Sequence, residues 1–504
     1  MTPHASAQVQ RIPSWESGTV ANSALVLHKL RSTQKAMYPM SSTILSKHLG
    51  KLPVCLLSLA VASLFAAGCG SGSTTSTATG PAGASFVIGT DAPMSSVTSF
   101  AVQLTSVNAI DAKGDTVSLV SGSPTVDFAR FNGLKTMLDM NDVPAGTYTN
   151  IQITLGSATL GYLNPVSGSA PTIVTEAASL TSSTVNITLA SPLVVTQSGS
   201  PVGINLDLNL RKSIQVDGNG NITGQVTPTF TVGSVAIGDA GAYIDEFDAA
   251  VVSVNTTAQS FVVQGPHGRD FTVNVTGNTA WDNSESLSSL TTSSIVAVSG
   301  KLDPADATID ADEVAILSQN GFYADGQVTY VTPATGTATS FNLYLRGLLP
   351  TTTSLTLGQI ATVNVNSSEN FYIYRVHNTL SQFLFNSSNL LAGQAVAIGG
   401  PASAVSGSTV TPARIVLRHW GFNGTFVASS INTSAGTFQM TINGFAGLLV
   451  PQTVTVYTSS ITTFRNGFTA LSGVTGNVRV VGLLVKDPVS GNTVLIARYV
   501  DVLS

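Results

Sequence analysis

Phe100-Ala101-Val102-Gln103-Leu104 and Ile151-Gln152-Ile153-Thr154-Leu155 each set an apolar residue at every second position. A strand turns successive side chains to opposite faces, so each segment offers one apolar and one polar face and reads as a half-buried β-strand. Outward from these two, β-branched runs recur every ten or so residues with Gly, Asn, Asp and Pro between them, the signature of an all-β chain. Amphipathic helices are missing; Ser284–Leu290 and Leu380–Leu391 have room for a short helical turn at most.

Composition narrows the chemistry. Of 504 residues, 43% are apolar but only 9% are charged, with 21 Lys and Arg against 26 Asp and Glu. Ser, Thr, Asn and Gly take the place of the missing charge. A disordered polyelectrolyte is excluded, because such chains lack the apolar surface to fold. Nucleic acid is excluded as a partner, since a pI near 5.6 without a Lys/Arg cluster leaves nothing to displace counterions from phosphates.

The longest apolar run, Leu52–Ala67, follows Lys47, His48 and Lys51 and is too short for a membrane-spanning helix, which needs about twenty residues. Basic flank, apolar stretch and the small residues Ala66, Ala67 and Gly68 make residues 1–68 a signal segment. Residues 1–36 carry no targeting pattern, and Met37 or Met40 would start a signal of ordinary length. Leu64-Phe65-Ala66-Ala67-Gly68-Cys69 resembles the bacterial lipobox, which implies lipidation of Cys69 and a mature chain tied to the membrane by its N-terminal lipid. Gly70 following it implies the outer membrane. Residues 69–85, Gly, Ser, Thr, Ala and Pro almost throughout, read as a tether. Cys55 lies in the removed run, so no Cys remains in the folded body for a disulfide, a thiolate metal site or a nucleophile.

Residues 86–237 form the first unit. Thr90-Asp91-Ala92-Pro93, Val143-Pro144-Ala145-Gly146-Thr147-Tyr148 and the closing Asp217-Gly218-Asn219-Gly220-Asn221-Ile222-Thr223-Gly224-Gln225-Val226 resemble, in order, the secreted bacterial family called domain of unknown function 4382. The resemblance implies a β-sandwich and no established activity. Three repeats follow at 243–317, 322–417 and 422–503. Each has a Phe-led strand (Phe261, Phe341, Phe438), then a Val-x-Val strand (Val273, Val363, Val454) and an aromatic (Trp281, Phe371, Phe464). A strand ending in Gly (Gly300, Gly399, Gly482) and an Ala-led closing strand (Ala311, Ala413, Ala497) complete it. This pattern resembles the small repeat called domain of unknown function 5666 and implies three OB-like β-barrels. Units this small bury too little surface to be stable alone, so they are expected to pack on their neighbours.

No constellation of chemical groups stands out. His267, His377 and His419 fall at unlike places in the repeats and read as surface or linker residues. Asp217, Asn219 and Asn221 imitate half a calcium loop without its distal Glu and read as a hairpin turn. Asp245, Glu246 and Asp248, and then Asp303, Asp306, Asp310, Asp312 and Glu313, are the densest carboxylates; they read as solvated strand edges, with a glycosidase pair or loose Ca²⁺ binding as the alternatives. Trp281, Tyr372 and Phe464, with Tyr374 and Phe468 nearby, are either barrel core or rings that stack on sugars. The expected function is that of a non-enzymatic, lipid-anchored envelope protein without a cofactor. Its barrels would form a stalk or a binding array for a neutral glycan or an envelope protein. A carbohydrate-binding surface protein is the alternative, a glycoside hydrolase-like enzyme the remoter one.

Overall fold

The computed structural model describes residues 81–503, apart from 93, 95–96, 165–169, 237–241, 266–267, 283–284, 320, 351–352, 367–369, 374–379, 443–451 and 466–467. Cys69, His267, His377 and Tyr374 therefore lie outside the described residues. The described residues are built almost wholly of β-strands and the turns between them, as the alternation predicts.

Residues 82–236 form a two-sheet sandwich. In one sheet, Val97–Asp111 pairs antiparallel with the nineteen-residue strand Gly146–Asn164, bringing together the two segments quoted above: Leu104 faces Leu155 and Val107 faces Ile153. In the other, Ala82–Ala92 is flanked by Thr136–Pro144 and, in parallel, by Val202–Asn209. Val102, Leu104, Ile151 and Ile153 of the first sheet share a core with Val87, Ile204 and Leu206 of the second. The turn at Pro144-Ala145-Gly146 is latched by Tyr148, whose hydroxyl donates to the carbonyl of Pro144 at 2.8 Å while its ring is 1% exposed. Phe86-Val87-Ile88 is apolar without alternation because the strand is covered on both faces: Val87 faces the sandwich core, Phe86 and Ile88 the core of the first barrel.

The first repeat comprises Tyr243–Asn255, Ser260–Gln264, Asp270–Asn274, Ile295–Asp303 and Thr308–Ser318. Antiparallel pairings join neighbours, and a parallel pairing of the third strand with the fifth (Val273 facing Ile309) closes the ring in the order 1-2-3-5-4. This is a five-stranded Greek-key barrel of the OB type. The third repeat closes identically through Val456 and Leu495. In the second, the closing strand is divided into Thr409–Val410 and Arg414–Arg418. Pro412 lies in the gap, and a residue with no N–H to donate cannot continue a ladder. Gly300 and Gly482, expected from the sequence to end the fourth strand, lie inside strands Ile295–Asp303 and Asn477–Lys486, and for a steric reason: a side chain on either would collide with the carbonyl of Asp310 or Ile496.

The barrels pack against one another and the sandwich. Leu483, Val485, Val494 and Ile496 of the third barrel lie in the core cluster of the second. Ile295, Ala297 and Leu317 of the first pack on Tyr323, Ala397 and Val416 of the second. Leu163 of the sandwich packs in the third. Shared apolar surface supplies what small units lack alone.

Candidate functional site

Burial changes the reading of the carboxylates. Asp306, Asp310 and Asp312 are exposed and Asp303 half-buried, as expected of strand edges. Asp245 and Glu246 are buried at 3% and 8% exposure, and Glu313 is fully buried. They do not solvate an edge; they face the place where the sandwich and the three barrels meet.

A bulge puts them there. The first barrel strand runs in register with the fourth up to Ile244, opposite Gly300, and resumes at Phe247, opposite Val298, so one extra residue is accommodated. Glu246 takes up the slack at φ 47°, in the left-handed region that non-glycine residues rarely enter, and its N–H donates to Ser299 Oγ at 3.0 Å. A bulge re-aims side chains, and the backbone strain, of order 1–3 kcal/mol, persists only where surrounding contacts hold it.

Those contacts are ionic. Arg418, at the end of the second barrel, donates from Nε to Glu246 Oε2 at 2.9 Å and from one terminal nitrogen to Asp248 Oδ2 at 3.2 Å and Tyr323 Oη at 3.0 Å. The Tyr323 hydroxyl donates to Asp248 at 2.5 Å. His419 Nδ1 lies 2.5 Å from Glu246 Oε1. Buried at 4% exposure, this histidine is neither a surface nor a free linker residue. Burial alone would raise the Glu246 pKa, but Arg418 and His419 together hold it at about 2. For Asp248 the balance falls the other way: burial dominates and leaves its carboxyl above the ordinary range.

The sandwich contributes Arg130, which lies between equivalent positions of two barrels. Asp248 and Asp325 occupy the same place in their first strands, opposite Ala297 and Ala397. Arg130 reaches Asp248 at 2.7 Å and Asp325 at 3.4 Å. Arg346 is the extra residue at a bulge opposite Asp325 and Gly326; its Nε donates to the carbonyl of Thr98 at 2.7 Å, and its guanidinium stacks 4.1 Å from the ring centre of Trp420. That one side chain ties the second barrel to the sandwich and to the third. Gly421 allows the approach, since a side chain there would meet the backbone of Asn132.

A second knot joins the first barrel to the third. Arg498 lies 3.3 Å from Glu313 and 3.5 Å from Asp245, and the Tyr499 hydroxyl donates to Asp245 at 2.5 Å. Burial pushes the Glu313 carboxyl up to about 8 against the pull of Arg498. Two carboxyls tuned apart are the pattern of acid–base catalysis. Glu313, however, is fully buried and does not border the cavity of about 520 Å³ that opens at the junction. Arg130, Asp325, Arg346, Arg418 and Trp420 line that cavity, with Phe131, Leu134 and Leu357 among its apolar walls. Among the described residues, no group of three or more His, Asp or Glu is arranged to hold a metal ion.

Trp281, Phe371 and Phe464 lie on equivalent short strands parallel to the closing strand of each barrel, and the structure does not bring them into the junction cavity. Each site aromatic is half-buried: Trp281 against Phe261, Tyr372 under the guanidinium of Arg414 at 4.1 Å, and Phe464 against the core of the third barrel. Asp217 forms a hairpin turn, accepting from the backbone N–H groups of Asn219 and Asn221 at 2.8 Å each. The junction had one visible signal, three acidic residues inside an otherwise apolar strand, Tyr243-Ile244-Asp245-Glu246-Phe247-Asp248-Ala249-Ala250-Val251.

Residues 86–223 match the family described as Domain of unknown function (DUF4382), a span that covers most of the sandwich. A comparison with curated proteins finds no match for the chain.

Proposed function

We propose that the chain is a non-enzymatic, lipid-anchored protein of the bacterial envelope, in which sandwich and barrels act together as a binding or structural head. One observation carries the anchoring: Leu64-Phe65-Ala66-Ala67-Gly68-Cys69 at the end of an apolar run, followed by a tether. The non-enzymatic reading is supported by the junction, where Glu246 and Asp248 are engaged by Arg418, and Glu313 is out of reach of any cavity ligand. The strand order common to the first and third repeats supports placing the barrels with domain of unknown function 5666. Labelling cells with radioactive palmitate tests the anchor: wild type carries label and sediments with membranes, and Cys69→Ala does neither. A Cys69→Ala protein that keeps its label and its membrane association overturns it.

Neutral-glycan binding is the second reading. It is supported by the half-exposed aromatics at one equivalent place in each barrel and requires that Trp281→Ala lose signal on a glycan array.

A further inference from the structure

We propose that the junction cavity binds a free α-amino acid with an apolar side chain, recognised as a zwitterion. This rests on the binding reading above and is independent of the anchor. The cavity, about 520 Å³, has the size of a small-molecule site and lies where such sites concentrate, at a meeting of domains.

The ligand class follows from which polar groups are already used. Glu246, Asp248 and Arg418 are paired with one another; Arg346 gives Nε and one terminal nitrogen to backbone carbonyls and its face to Trp420, leaving only its buried Nη1 without a hydrogen-bond partner. Arg130 and Asp325 form a partly exposed ion pair in the cavity lining, to which Asp127, accepting from the N–H of Phe100, also belongs. Arg130, its side chain 35% exposed, makes both its contacts through a single terminal nitrogen, leaving the rest of its five-donor fork free. Asp325, its side chain 16% exposed, is reached only by that nitrogen, at 3.4 Å on Oδ1, and its Oδ2 accepts nothing from the described residues. The remaining N–H groups of the guanidinium can each donate to a carboxylate, and a carboxylate oxygen takes an ammonium. The two groups touch, so the ligand must carry its opposite charges side by side, as an α-amino acid does on one carbon. The apolar part of the lining, Phe131, Leu134, Leu138 and Phe247 among it, includes Leu357, which is 51% exposed, and suits an apolar side chain. A sugar would want an open aromatic face, and the ring of Trp420 is covered by Arg346.

The test is isothermal titration calorimetry of the full chain in detergent with L-leucine, leucinamide, N-acetylleucine and glucose. Leucine is expected to bind, and each blocked form, lacking one charge, to bind at least about tenfold more weakly. Asp325→Asn should weaken leucine by a similar factor. Because Asp325 touches an interface, the exposed Leu357→Glu is the second variant; it should lose leucine while retaining the wild-type melting temperature. The proposal is overturned if leucine fails to bind up to about 10 mM, if either blocked form binds as well as leucine, or if glucose binds instead. Chemical conversion of bound leucine would keep the ligand class and overturn only the non-enzymatic reading.

Discussion

Replacing Arg418 with Met removes the cation that holds two buried carboxylates while leaving a side chain of similar length. In the wild type, Glu246 is held at about 2 against an ordinary 4.5. At about 1.36 kcal/mol per pH unit, this amounts to a contribution of about 3 kcal/mol. A depressed acid stabilises the fold above its unfolded pKa and loses that contribution as pH falls through its folded pKa, so the wild type should lose stability from about pH 4.5 down to about pH 2. With Arg418 gone, burial becomes the dominant influence on Glu246 and lifts its pKa above the ordinary value. The sign then reverses: the variant is best off below about pH 4.5 and loses stability as pH rises. At pH near 7.5 the cost should be about 3–5 kcal/mol, as for other buried pairs stripped of one partner, and near pH 2, where the wild type has lost the Glu246 contribution, it should be much smaller. Urea unfolding followed by the fluorescence of Trp420, which stacks beside the junction on Arg346, measures it. A loss under about 1 kcal/mol at neutral pH, or an equal loss at both pH values, would refute the assignment of Arg418 as the charge that holds the junction.

Three further outcomes follow from the same physics. Glu313, pushed up to about 8 by burial, should make wild-type stability decline as pH rises from about 4.5 to about 8; Glu313→Gln should flatten that slope in melting temperatures taken across the range. Asp91 is 1% exposed with both carboxylate oxygens lacking hydrogen-bond partners, and burial, aided by Asp207, raises its pKa well above the ordinary value. Asp91→Asn should therefore stabilise the protein by about 1–3 kcal/mol at neutral pH and by little at pH 3, and destabilisation at neutral pH would contradict this. Tyr148→Phe deletes the hydroxyl bonded to Pro144 and should cost about 0.5–1.5 kcal/mol in urea unfolding; no loss would mean the latch is dispensable.

The strands were legible because their information is local. Phe100–Leu104 and Ile151–Leu155 alternate, and in the fold their apolar members are the buried ones. Landmarks at Val273, Gly300 and Ala311 recur because the closed barrel demands them: a third strand to pair in parallel with the fifth, and a position where only glycine clears a carbonyl. The junction was not legible. Its acidic triplet stood in plain view, but Asp245, Glu246 and Asp248 have the same composition whether they face water or arginine. Their partners, Arg130, Arg418 and Arg498, come from three other units, more than a hundred residues away in sequence. The bulge that turns Glu246 toward them likewise leaves no mark in a pattern read two residues at a time.

The sequence by itself determined the class of fold, the threefold repeat and, at the level of proposal, the address written in residues 52–69, because periodicity and short motifs act over a few residues. Tertiary structure alone decided that sandwich and barrels share cores instead of standing apart along a stalk, and that the buried charges among Arg130, Asp245, Glu246, Asp248, Glu313, Arg418 and Arg498 meet where they join. The physical reason is desolvation: a charge is tolerable out of water only beside its opposite, and only the packed chain determines which charges meet.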